Sequence, residues 1–230
     1  MLTLYQFNAC PFCWKVKAML HLTHTPYQVI EVTPFGMPEL DFTTHKKVPV
    51  LRDNNEIILE SERIVLYIRE HYSQLSPPTQ QDYDWLQWVD QTLVHYLPPL
   101  IHPNIRTSYQ NFAHIMLPNQ FKPLKQWGVR VAGALVMPRV ARKMQAKHNI
   151  SHPQQEFERA LQHWVQQGLK GQMYYAGAQL GLVDAVVYGV LKSGAKMPFW
   201  SGVLSNNATL QQWFERCDAQ LATPTATLSA

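Results

Sequence analysis

LTLYQFNACPFCWKVKAMLHLTHTPYQVIEV, residues 2–32, is the stretch that decides the fold. Leu2 to Phe7 is a short apolar run and reads as a strand. From Cys10 to His24 the apolar residues Phe12, Val16, Met19 and Leu20 fall at helical spacing, with Lys15 and Lys17 off that face. Pro26 ends the helix, and Tyr27 to Val32 reads as a second strand. A strand, a Cys-Pro turn, a helix and a strand make a β-α-β unit with a dithiol at its first turn.

Outward from there, Pro34, Gly36 and Pro38 mark a loop. Val48–Arg52 and Ile57–Glu60 read as short strands joined by the turn Asp53-Asn54-Asn55. Ser61 is positioned to cap a helix through Tyr72. SQLSPPT, residues 73–79, has linker composition, and beyond it the periodicity is helical only. The pattern predicts helices near 81–96, 106–116, 122–147 (broken near Pro138), 153–167, 182–193 and 209–220, and a frayed tail after Leu221. The fold class is therefore α/β followed by all-α, with an N-terminal unit over residues 1–75 and an all-helical unit over 80–222.

The chain has 230 residues, 46% hydrophobic and 16% charged, which excludes a disordered chain. No apolar run reaches the roughly 18 residues of a membrane span, so no integral membrane segment is expected. The start lacks a basic region followed by an apolar stretch, so no signal peptide is expected. The cysteines are Cys10, Cys13 and Cys217. An odd count with one close pair suits a reducing, cytoplasmic setting rather than a secreted disulfide framework. Between Asp90 and Glu156 there is no acidic residue, while Arg106, Lys122, Lys125, Arg130, Arg139, Arg142, Lys143 and Lys147 fall in that span. Such a stretch attracts an anionic substrate, a membrane surface or nucleic acid, or is merely a solvated helix face. No nucleic-acid motif accompanies it, so no nucleic-acid partner is expected.

Cys10-Pro11-Phe12-Cys13 carries the chemistry. Proline suits the first turn of a helix. A sulfur there meets unpaired N–H groups and the positive end of the macrodipole, which lower a thiol pKa from about 8.5. Lys15 and Lys17 add a modest push. Cys10 is the expected nucleophile, and Cys13, one turn in and more buried, the resolving thiol. Two other readings compete. His21 and His24 complete a superficial Cys2His2 set, but the spacing is too short and a rigid helix separates the pairs, so no metal is expected. The pair could also be inert core cysteines, a reading the strand–Pro–helix setting disfavours.

Lys47-Val48-Pro49-Val50 opens a strand, a place proline takes only at an edge or in a cis bond. A cis bond would turn the Val48 backbone outward to pair with an extended peptide; an ordinary edge-strand proline is the competing reading. At Glu60-Ser61 a strand gives way to a helix: Ser61 and the helix amides suit a carboxylate, and Glu60 suits an ammonium. Taken singly these are an edge proline and a helix cap. Together with the thiol they describe the γ-glutamyl tripeptide glutathione.

Those same residues carry a family resemblance. YQF-x-x-CPFC-x-KV (5–16), HTPYQVIEV (24–32), KVPVL (47–51) and ES-x-x-I (60–64) resemble the glutaredoxin-like N-terminal domain of the glutathione transferase superfamily, and within it the prostaglandin E synthase type two family. Residues 85–95, WLQWVDQTLVH, and 181–191, GLVDAVVYGVL, resemble that family's first C-terminal and buried late helices. The resemblance implies a thioredoxin-like domain followed by a helical one. It implies Cys10 as reactive thiol with Phe12 beside it. Val48, between Lys47 and Pro49, would hold the glutathione backbone, and Glu60 and Ser61 the γ-glutamyl end. It also implies a small electrophilic or disulfide second substrate in a pocket between the domains, haem bound together with glutathione, and isomerisation of a prostaglandin endoperoxide. Homodimers are common in the superfamily, and no interface is legible in this sequence. Gly181 stands where members have Ser, Thr or Asn before the helix Asp, and Phe7 where the family can have Tyr.

Overall fold

The computed structural model describes residues 1–34, 36–115 and 123–222, without the side chains of 123–126. The helix boundaries expected at Met116 and Lys122, and the tail from 223, lie outside the described residues.

Four strands form one mixed sheet in the order β2-β1-β3-β4. β1 (Leu2–Gln6) pairs in parallel with β2 (Tyr27–Glu31) and antiparallel with β3 (Val50–Asp53), which pairs antiparallel with β4 (Glu56–Leu59). The single parallel pair needs a crossover connection, and α1 (Pro11–Leu22) supplies it. Leu4 sits opposite both Val29 and Leu51 and is fully buried. α2 (Ser61–Tyr72) follows β4 and lays Ile64, Val65 and Ile68 on the core.

The rest is helical. The expected helix at 81–96 runs from α3 (Gln80–Trp88) through a π-turn at Val89–Leu93 into α4 (Val94–Ile101). α5 (Ile105–Ile115) and α6 (Pro123–Lys147) follow, then α7 (Pro153–His163) with a π-turn at Trp164–Leu169. α8 (Leu182–Gly194), α9 (Pro198–Ser205) and α10 (Ala208–Leu221) complete the set. α6 is not broken at Pro138: the proline is buried inside a continuous helix. An interior proline costs about 3 kcal/mol, and packing of α6 against both α4 and α5 outweighs it. Among the described residues no helix is long and apolar enough to cross a membrane.

Every residue from Leu182 to Leu191 is buried. α8 packs against α1 more extensively than any other two elements pack. The contact is close because Gly189 has no side chain: a Cβ there would lie 2.6 Å from the Trp14 carbonyl oxygen and 2.8 Å from the Lys15 Cα. At the start of α8 the Asp184 carboxylate accepts from the amides of Gly181 (3.2 Å) and Tyr175 (3.0 Å) and from the Trp213 indole (2.9 Å). Half of the usual reciprocal cap is thus kept although Gly181 has no side chain to return it. The α1 helix is held at its other end by His21, whose ring bonds the Leu221 carbonyl of α10 and the Tyr27 hydroxyl (2.8 Å). Those two partners occupy both ring nitrogens.

Candidate active site

Cys10 is the residue before α1 and has extended backbone, φ −79° and ψ 122°, with Pro11 opening the helix. Its own side chain caps nothing, so the sulfur is left to face the free amides of the first turn. The turn is pinned from several sides. Cys10 N–H donates to Phe7 C=O (3.0 Å), and Asn8 N–H to the Glu31 carboxylate (2.6 Å), which Gln6 also bonds (3.1 Å). The Trp14 indole donates to Asn8 C=O (2.7 Å), and Lys17 Nζ to Asn8 Oδ1 (3.2 Å).

Cys10 is half-buried, Cys13 is fully buried, and Cys217 is buried; all three are free thiols. A hydrogen bond from the Cys13 thiol, against the effect of burial and with help from the Cys13 and Phe12 amides and from Lys17, holds Cys10 below the ordinary thiol value. Burial first, and then the bond to Cys10, pushes Cys13 well above it. The two sulfurs are therefore unequal: Cys10 ionises more readily than an ordinary thiol, and Cys13, which donates to it, less readily.

Both lysines of α1 are buried, contrary to the expectation that they lie off the packed face. The reason is that α1 is enclosed on two sides, by the sheet unit and by α8. Lys15, 1% exposed, donates to Ser61 Oγ (3.3 Å) and pairs with Asp90, which lies in the π-turn between α3 and α4. Burial lowers its pKa, against the pull of Asp90. Lys17 lies 3.4 Å from the Trp14 ring centroid, and burial brings it down to about 8.

The Val48–Pro49 bond is cis. Pro49 is buried, Val48 half-buried and Lys47 exposed. Among the described residues nothing hydrogen-bonds the Val48 backbone. Ser61 is not the cap of α2 but its first residue; Glu60 takes the cap position at φ 65°, because the chain must turn sharply from β4 into the helix. The Glu60 carboxylate is 65% exposed and 4.0 Å from His45 Nε2. Lys15 donates to the Ser61 oxygen, so the hydroxyl proton is left to point elsewhere.

A cleft of about 500 Å³ opens where the first turn of α1 meets α4, α5 and α6. Cys10, Phe12, Phe112, Val136 and Met137 are among its walls, and the lining is largely apolar. His95 also lines it, with its ring stacked 3.7 Å from that of His148. Burial, then His148, brings His95 down to about 4, so it is neutral near pH 7. No Lys or Arg is among the described lining residues. Haem would set two propionates there with no cation to meet them, and the described lining does not fit that group. Arg106, Arg130, Arg139, Arg142, Lys143 and Lys147 of the acid-free stretch are not among those lining residues.

Of the residues named from the sequence (Cys10, Phe12, Cys13, Lys47, Val48, Pro49, Glu60 and Ser61), Cys10 and Phe12 line the cleft. Sequence reading gave no role to Asn8, Glu31, Asp90 or His95, which stand inside the quoted stretches but meet their partners only through tertiary packing.

Residues 4–78 match the family model described as glutathione S-transferase, N-terminal domain. Prostaglandin E synthase 2 of Danio rerio is 23% identical to this chain, over 94% of it and 70% of the relative. Its Mus musculus counterpart is also 23% identical, over 94% of this chain and 69% of the relative. Human glutathione transferase theta-2, solved in complex with glutathione and an unknown ligand, superposes with a TM-score of 0.66 at 17% identity, covering 98% of this chain and 84% of that one.

Proposed function

We propose, from the premise that this chain carries a glutathione S-transferase N-terminal domain within a glutathione transferase fold, that it is a glutathione-dependent thiol transferase working through Cys10. Residues 1–75 bind glutathione and residues 80–222 supply most of the second-substrate cleft. The tripeptide pairs its backbone with Val48, between Lys47 and Pro49, and sets its γ-glutamyl end at Glu60 and Ser61. Phe12 lies beside the reacting sulfur. The three free thiols suit a reducing compartment, the cytoplasm.

In the first step the Cys10 thiolate attacks the glutathione sulfur of a mixed disulfide R–S–S–G. The S–S bond breaks, Cys10–S–S–G forms, and R–S⁻ leaves and takes a proton from solvent. A glutathione thiolate then attacks the glutathione sulfur of that adduct, forming oxidised glutathione and freeing Cys10. Alternatively Cys13, once deprotonated, attacks Cys10 and displaces glutathione.

The observation that carries this reading is the unequal dithiol at the wall of an apolar cleft. Cys10→Ser abolishes reduction of glutathione mixed disulfides, and Cys13→Ser leaves monothiol turnover; equal loss in a coupled glutathione-reductase assay would contradict the assignment. The apolar cleft also favours a second reading, conjugation of glutathione to apolar electrophiles, in which the glutathione sulfur attacks. That activity would survive Cys10→Ser.

A further inference from the structure

We propose that the outer face of α5 and α6 docks on an anionic phospholipid bilayer. Half of the large apolar side chains that stand most exposed among the described residues lie on these two helices. They are Ile105 (51%), Trp127 (58%), Leu135 (44%), Val136 (51%) and Val140 (37%). On α6 they share the exposed face with four cations. Leu135 and Arg139 form one row; Val136, Val140, Lys143 and Lys147 form the next, and Arg142 stands beside them, all at helical spacing and all exposed. Among the described residues no carboxylate pairs with any of these cations. The sequence has no acid between Asp90 and Glu156, so no residue of α5 or α6 offers these cations a carboxylate.

Three occupants are excluded or favoured by charge and polarity. Bulk water does not account for a Trp, a Leu and two Val left outward on a helix whose other side is already buried. A symmetric contact with a second copy would set the cations against themselves. A bilayer surface satisfies both halves: its anionic headgroups meet Arg and Lys, its acyl boundary takes Leu and Val, and Trp sits at the level between. An open groove of about 470 Å³ between α5 and α6, flanked by Arg106 and Arg130 with Ile105 and Leu135 along it, continues the same surface. Val136 belongs both to the exposed face and to the wall of the cleft that holds Cys10. On the reading of that cleft as the second-substrate site, its mouth faces the lipid, and an apolar substrate enters from the membrane phase.

Co-sedimentation of the full chain with vesicles tests this. It binds equimolar phosphatidylcholine–phosphatidylserine vesicles, not phosphatidylcholine alone, and molar salt releases it. R139E/K143E lowers the partition coefficient by at least about 25-fold, from about fivefold per cation. L135S/V140S also lowers it, and both variants keep the wild-type circular dichroism and reduce a water-soluble glutathione mixed disulfide normally. Equal binding to neutral vesicles, or variants that bind like the wild type, overturns the proposal. So does a dimer that R139E/K143E dissociates, or a nucleic acid held by the same charges with no vesicle binding. The soluble-substrate assay separates these failures from failure of the thiol-transferase reading.

Discussion

The chemistry at the first turn rests on who holds the proton. Cys13 donates to Cys10, and that bond outranks the backbone amides and Lys17 in lowering the Cys10 thiol. The rate of Cys10 alkylation by iodoacetamide against pH reports the thiolate fraction directly. The wild-type midpoint is expected below the ordinary thiol value. Cys13→Ala removes the donor and raises that midpoint, slowing alkylation near pH 7. Lys17→Met raises it less, and Cys13→Ser, which keeps an O–H donor, raises it least. A midpoint that moves more for Lys17→Met than for Cys13→Ala would reverse the order of causes. The Cys-Pro opening of α1 and the proline at the entry to β3 were legible because each joins a residue type to a turn, and turn chemistry is local. The cap of α2, by contrast, falls one residue before the Ser61 that the sequence suggested. Asn8, just past β1, and Glu31, the last residue of β2, were not legible: their hydrogen bond depends on β2 lying beside β1.

At the scale of elements, the α1–α8 contact governs. Gly189→Ala places a methyl carbon against the backbone of Trp14 and Lys15, which has no rotamer to yield. The gain of about 1 kcal/mol from replacing an interior helix glycine is exceeded by overpacking of about 1–3 kcal/mol or more. Urea denaturation is expected to show net destabilisation. Gly128→Ala on α6, where nothing lies within 4 Å of the added carbon, is expected to be neutral or stabilising. Losing stability in both or in neither would sink the argument. The existence of most helices was readable from apolar spacing. Their extent was not: Pro98, Pro99 and Pro138 lie inside helices that the sequence alone would break, because packing compensates a missing N–H that a local rule counts in full. α9 was invisible, a single helix of PFWSGVLS too short for its period to register.

The sheet unit and the helical unit share one core, for Leu4, Met19, Val186 and Trp213 belong to the same buried cluster. The Lys15–Asp90 pair ties them as well. Asp90→Asn leaves a buried ammonium without its anion and is expected to destabilise by about 3 kcal/mol, more than the charge-free double variant Lys15→Met/Asp90→Asn. Six of the seven tryptophans lie beyond residue 80, so indole fluorescence reports mainly the helical unit. Its urea transition is expected to coincide with that of far-ultraviolet circular dichroism in wild type and variants; separated midpoints would mean that the units unfold independently. Two regimes of pattern, alternating and then helical, disclosed the overall class. Their mutual burial was hidden, since it joins residues far apart along the chain.

That separation has a consequence for synthesis. His21 grips the carbonyl of Leu221 across 200 positions, and α8 is needed to cover the other flank of α1. On the ribosome the dithiol helix emerges long before the helices that sheathe it. Until then its sulfurs are open to any passing oxidant or chaperone, and a nascent chain halted before α8 would carry the reactive group without the shelter that tames it.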